Sequence, residues 1–328
     1  MQTDVELIEA TRGGRVECVH RGHVVVCDSK GEITFALGDP SAIIFPRSAC
    51  KMLQALPMVE SGAAKSLRQD QLALSCASHI GAAYHTDRVR AWLADLGLSD
   101  ADFRCGPQEP SDRAARDGLI RAGESPCQYH NNCSGKHTGF LTFNQHLGGG
   151  PDYIDPDHPV QKAVKATFEE VTGEDSPGFG IDGCSAPNHA TSVHGLARAM
   201  ASFAGAHDRS GARAEGQQAL IEAMMAYPEL VSGEGKPTTE LMRLTAGRAA
   251  IKSGADGVYV AIIPELRVGV ALKISDGGDI AKAVAMASVL RKLGILPQTD
   301  KADAWTRWAI TNRNNWVTGE IRATAALA

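Results

Sequence analysis

The chain has no cluster of basic residues interleaved with aromatics, and its charge leans the other way. It carries 33 Lys and Arg against 38 Asp and Glu, a formal net charge of −5, so nucleic acid is not an expected partner. Long uninterrupted apolar runs are missing as well. The most apolar stretches, residues 257–264 and 280–296, are too short or carry Lys and Arg, which argues against a membrane-spanning helix and a membrane partner. The opening MQTDVELIEA has acids where a signal peptide would have basic residues; secretion by that route is not expected, and a cytoplasmic setting is. Cys-x-x-Cys, His-Glu-x-x-His and the Walker A loop are all absent. Around Gly235-Lys236-Pro237, Leu230 stands where the first glycine of that loop belongs.

What is present begins with size: 328 residues, 43% of them apolar, enough for one large core or two modest ones. Eight cysteines could make four disulfides, but a chain this long does not need such staples, so reduced thiols are expected. Residues 5–37 alternate short β-rich runs (VELIEA, VECVH, HVVVCD, EITFAL) with Gly-containing turns, one of them at Arg21-Gly22, and predict consecutive antiparallel strands. Helical apolar spacing marks residues 49–60, 87–97, 157–172, 188–204, 215–226 and 239–247. Strand patterns return at 249–252, 257–263 and 267–274, followed by a helix from about Asp279. The expected fold is α+β: an antiparallel sheet built from both termini (residues 1–45 plus 248–328) around an inserted, mostly helical subdomain (46–247), the whole a single catalytic domain.

Four short segments carry chemistry. In PRSACKMLQAL, Ser48 precedes Lys51 by three residues at a predicted helix start, where side chains three apart share a face, with Cβ atoms about 5–6 Å apart. That spacing suits a serine nucleophile served by a lysine base, near backbone N–H donors for an oxyanion; Ser48 as a plain helix cap is the alternative. The apolar residues after Lys51 predict a buried helix, and a buried lysine needs a reason. Cys76-Ala-Ser78-His79-Ile-Gly81 offers a second hydroxyl beside an imidazole, and Lys252-Ser-Gly254 lies between two predicted strands, as the Lys-Thr-Gly element of serine β-lactamases does. Asn132-Cys133-Ser-Gly-Lys136-His137 and Gly180-Ile-Asp182-Gly-Cys184-Ser-Ala-Pro187 bring two thiols that could hold zinc with Lys136, His137 or Asp182, or could be structural.

Taken in order along the chain, these motifs resemble the type-II L-asparaginase family, the Rhizobium etli type. The resemblance implies a fold similar to serine β-lactamases, penicillin-binding proteins and serine glutaminases, hydrolysis of L-asparagine to L-aspartate and ammonia, and a homodimer. It implies two Ser-Lys pairs, Ser48 with Lys51 and Ser78 with Lys252, and a zinc site on Cys133, Lys136 and Cys184. The expected mechanism has Ser48 attack while neutral Lys51 takes its proton and Ser78 with Lys252 relays one to the leaving nitrogen, helix-start geometry favouring Ser48 over Ser78. Arg47 and Asp182 are the choices for the substrate's carboxylate and ammonium, with His79 and Asn132 as further substrate contacts. The chain departs from the family pattern at Gly81-Ala82-Ala83-Tyr84-His85, where Gly-Glu-Pro-x-His is usual, so an acid is lost there. A glutaminase or β-lactam-acylated protein on the same scaffold is the nearest alternative, and a non-catalytic amino-acid or zinc-binding protein a more distant one.

Overall fold

In the computed structural model, which describes residues 4–328, the two ends of the chain meet in one antiparallel sheet. The first three residues of the opening lie outside the described part. The strands are β1 (Val5–Arg12), β2 (Arg15–Asp28), β3 (Ile33–Leu37), β4 (Ile43–Ile44), β5 (Phe179–Ile181), β6 (Pro187–His189), β7 (Thr191–Ser192), β8 (Ala250–Ser253), β9 (Val258–Ile263), β10 (Val268–Ile274), β11 (Arg307–Thr311) and β12 (Val317–Ala323). The large sheet runs β11-β12-β1-β2-β10-β9-β8, with β3 also on β2; β4 pairs with β7 and β5 with β6.

The ends join where β2 pairs with β10, Val26 facing Val270. Here the turn expected at Arg21-Gly22 does not form. β2 runs straight through both residues, its first half pairing with β1 and its second with β10 and β3. Gly22 serves close approach instead, because a Cβ there would lie 2.0 Å from the Lys273 carbonyl oxygen.

Both faces of the sheet centre are covered, since all six residues of β9 are buried. Helix Val193–Ala204 packs over β2, β9 and β10, and helix Asp279–Lys292 packs against β1, β9, β10 and β12. Gly269 on β10 lets the first approach, for a Cβ there would meet the Ala201 nitrogen at 2.0 Å. Each Val or Ile so buried is worth about 1.5–3 kcal/mol relative to exposure.

Between the two halves of the sheet the chain is mostly helical, as expected, with shifted ends. Helices Pro159–Thr172 and Pro237–Leu244 begin at prolines, whose missing N–H is harmless in a first turn. The segment expected as one helix over 188–204 starts as β6 and β7, and only from Val193 is it helical. Residues 47–50 form a 3₁₀ turn, and the α-helix begins at Lys51. Helices Arg113–Ala122 and Ser134–Leu147 and the hairpin β11–β12 had no counterpart in the sequence reading. Among the described residues, no helix is long and apolar enough to cross a membrane.

Candidate active site

Helix Gln69–Ser75 ends at Cys76, and the chain then runs extended past Ser78, whose N–H donates to Val231 O at 2.9 Å. His79 N–H donates to Asn132 O at 3.0 Å. Ser78 is therefore pinned between two loops. Its hydroxyl meets two lysine amines: Lys51 Nζ donates to Ser78 Oγ at 3.0 Å, and Lys252 Nζ does so at 2.9 Å. Both lysines are only 1% exposed. Lys51 heads its helix, Lys252 sits on β8, and Ser78 lies at the seam between helices and sheet.

Burial first, and the neighbouring Lys51 second, hold Lys252 well below the ordinary lysine value of 10.5; Cys133 and Cys76 oppose the shift and Lys282 adds to it. Lys282 is itself buried. Its amine donates to Gly254 O at 2.7 Å and pairs with Asp279 at 2.6 Å, bracing the end of β8 from behind.

The expected Ser48–Lys51 hydrogen bond does not form. The Lys51 amine turns elsewhere, donating to Ala77 O, Ser78 Oγ and Cys133 Sγ. Ser48 sits half-buried in the 3₁₀ turn, and its hydroxyl makes no hydrogen bond among the described residues. The turn still belongs to this neighbourhood, because it packs on the end of β8: a Cβ on Gly254 would lie 2.6 Å from Pro46 O and 3.1 Å from Ala49 N.

Cys133, Lys136 and Cys184 also converge. Gly135 allows it, since a Cβ there would meet Leu74 O at 2.4 Å, so only glycine lets helix Ser134–Leu147 press its first turn against the segment leading to Ser78. Cys184 is presented by a tight turn in which Ser185 adopts φ 67° and donates its N–H to Asp182 O at 2.8 Å. Lys136 Nζ donates to Cys184 Sγ at 3.0 Å. Contact with Cys133, then the Lys136 charge and His137, hold Cys184 well below the ordinary thiol value; the same contact, with burial, pushes Cys133 up. Burial opposes the charge on Lys136, yet Cys184 and Cys133 hold it above its ordinary value. Both directions favour a proton on the Lys136 amine over one on Cys184. Among the described residues no three His, Cys, Asp or Glu side chains group to hold a metal, so the donors a zinc ion would find here are two sulfurs and the Lys136 amine, once the competing protons are displaced.

Arg47 and Asp182 are together, but as each other's partners: the guanidinium bonds Asp182 at 2.8 and 3.0 Å and also pairs with Asp256. Arg47 adopts φ 52°, and Asn188 accepts its backbone N–H at 3.1 Å. His79 accepts the Gly81 N–H on Nδ1, so Nε2 carries the hydrogen and donates to Ser134 Oγ at 2.9 Å. Burial, then His85 and Lys51, keep it well below its ordinary value, a neutral clamp between segments. Asn132 accepts the Cys133 thiol on Oδ1, while its NH₂ has no partner among the described residues.

Ser78, His79 and Asn132 line a cleft of about 340 Å³. Sequence reasoning leaves several residues of this neighbourhood unassigned, among them Gln108, Glu109, Lys236 and Asp279 in the cleft wall and Lys282 behind it. In the sequence Lys236 stands out only as part of an incomplete phosphate loop, and nothing in the local pattern marks the others. Tyr84, in the stretch that departs from the family pattern, accepts the Glu234 N–H at 3.1 Å and so holds the loop before Lys236.

The L-asparaginase II family profile matches residues 8–323. No curated protein matches the chain. Among solved structures, native Mglu is 14% identical, with a TM-score of 0.47 over 85% of this chain and 66% of that one. A putative β-lactamase from Bacteroides dorei is 12% identical (TM-score 0.44, 77% of this chain and 84% of that one). A Bacillus glutaminase is 9% identical (TM-score 0.41, 84% and 91%). The chain spans 61% to 69% of the length of the Mglu chains it matches. At such scores the assignment rests on the family match alone. That match runs from β1 to β12 and encloses Ser78 with both its lysines, and by it the chain belongs to the L-asparaginase II family of amidohydrolases.

Proposed function

We propose that the protein hydrolyses L-asparagine to L-aspartate and ammonia, with Ser78 as nucleophile and Lys252 as its base. The observation that carries this reading is the Ser78 hydroxyl held by two buried amines, one of them, Lys252, driven toward its neutral form. A serine hydroxyl is a weak nucleophile until an adjacent base removes its proton.

The Ser78 oxygen attacks the side-chain amide carbon as its proton passes to Lys252. The NH₂ groups of Gln108 and Asn132, without partners among the described residues, are donors in the cleft wall for the carbonyl oxygen as charge develops there. On collapse the C–N bond breaks, Lys252 returns its proton to the departing nitrogen, and ammonia leaves a β-aspartyl ester on Ser78. Water then attacks the ester, giving a proton to Lys252, and aspartate is released as Ser78 regains its hydrogen. Lys51, fixed by Ala77 O and Cys133 Sγ, holds the Ser78 oxygen in place throughout.

Zinc on Cys133, Lys136 and Cys184 would bind the two loops together and polarise a water near the substrate. Thiolate donation makes it a weak Lewis acid, so the serine chemistry above does not depend on it.

Ammonia release from L-asparagine and from L-glutamine by the purified protein tests the reading. One methylene separates the two amides and is worth about 1–3 kcal/mol of discrimination. The expected result is turnover of asparagine about 10-fold or more faster in kcat/KM; no release from asparagine contradicts it.

A further inference from the structure

We infer that Lys236 and Glu109 form a receptor for the two charged ends of a zwitterionic α-amino acid, Lys236 taking the α-carboxylate and Glu109 the α-ammonium. This assignment rests on the amidohydrolase reading for the chemistry, but its evidence is separate. With Arg47 and Asp182 neutralising each other, the substrate's ends need other partners.

The cleft wall carries three groups with full charge, Glu109, Lys236 and Asp279. Asp279 is paired with Lys282 at 2.6 Å. Lys236 and Glu109 have neither an ion pair nor a side-chain hydrogen bond among the described residues. One cation and one anion, unpaired among the described residues, thus line the same cleft as Ser78, Lys236 half-buried and Glu109 exposed. This is the complement of a molecule bearing a carboxylate and an ammonium on one carbon.

Both charges stand on anchored backbone. The loop bearing Glu109 is tied at one end by the Asn131 side-chain NH₂, which donates to Cys105 O and Gly106 O at 3.0 Å each, and at the other by Asp112 N–H to Ile80 O at 2.9 Å. Its Pro110 abuts Gly81. The loop bearing Lys236 leaves Val231, which holds the Ser78 N–H, and presses Gly233 against Ile80, where a Cβ would lie 2.7 Å from the side chain. Thr239 Oγ1 donates to Gly233 O at 2.6 Å, fixing that loop to the helix that follows Lys236. The two loops therefore meet at Ile80, two residues beyond Ser78.

The test compares binding of L-aspartate, its α-amide and N-acetyl-L-aspartate by calorimetry, alongside ammonia release from L-asparagine, for the parent protein and for Lys236→Gln, Lys236→Arg and Glu109→Gln. The parent is expected to prefer L-aspartate over both blocked forms. Loss of a charge-assisted bond makes Lys236→Gln bind L-aspartate about 10- to 100-fold more weakly and lose its preference over the α-amide. Lys236→Arg restores that preference, and Glu109→Gln loses the preference over the N-acetyl form alone. For asparagine the loss appears in KM more than in kcat. If the parent releases ammonia but the variants keep both preferences, the receptor assignment is overturned and the amidohydrolase reading stands. If the parent releases none, that reading fails, and the binding preferences still decide this one.

Discussion

At the scale of single residues, the centre turns on which hydroxyl the two amines reach. Lysine is costly to bury with its charge, and burial first, with Lys51 beside it second, drives Lys252 toward its neutral form. The consequence is visible in pH. Free-base Lys252 is the active form, so kcat/KM should rise with pH along an acid limb that falls below the ordinary lysine value of 10.5. Burial first, then Lys51 and Lys282, push this limb down, and Cys133 and Cys76 push it up. Lys282→Met removes a repelling cation and should move the limb to higher pH, which a pH–rate profile reads directly; an unmoved limb contradicts the assignment of Lys252 as base. Stability carries a mark of the same shift and of the same sign. Lys252 has a lower value folded than unfolded, so between the two the unfolded chain binds more protons, and stability rises with pH across that window. Lys252→Met should flatten this slope in denaturant unfolding at several pH values while abolishing turnover.

At the scale of elements, the sheet strands and the order of the motifs were legible because alternation, turn residues and buried lysines leave local marks. The partner of Lys51 was not. A Ser-x-x-Lys spacing predicts a shared helical face, but the actual helix starts at Lys51, and the amine's acceptors come from residues 26, 27 and 82 positions away. The glycines at 22, 135, 254 and 269 show why local reading falls short. Gly22 looked like a turn, yet it and the others mark places where another backbone passes too close for a Cβ. Gly254→Ala tests this. Its Cβ would collide with Pro46 O and part the Ser48 turn from β8, and overpacking of this kind costs about 1–3 kcal/mol. Thermal unfolding should show the lower stability, with activity falling as Lys252 shifts; an unchanged midpoint would remove that packing argument.

At the scale of the whole molecule, the active centre exists only because the C-terminal half of the sheet and the helical insert arrive at one seam. Lys252 comes from the C-terminal half of the sheet, and Lys51, Ser78, Cys133 and Cys184 come from four separate stretches of the insert. The two thiols and Lys136 tie two of those stretches together, so metal content should report their integrity. About one zinc per chain is expected by elemental analysis, falling sharply in Cys133→Ala and Cys184→Ala with the fold retained by circular dichroism. Equal zinc in parent and variants would remove the metal assignment. The receptor proposed for the substrate's charged ends was out of reach of sequence reasoning, because Glu109 and Lys236 lie 127 residues apart on loops with no shared pattern and meet only through Ile80.

The most direct test of the central claim is to trap the ester formed during asparagine turnover and map it by peptide mass spectrometry. The added mass should fall on the peptide containing Ser78, and Ser78→Ala should lose on the order of 10³-fold or more in kcat, while Ser48→Ala stays within about tenfold of the parent. An ester found on Ser48 instead would contradict the account.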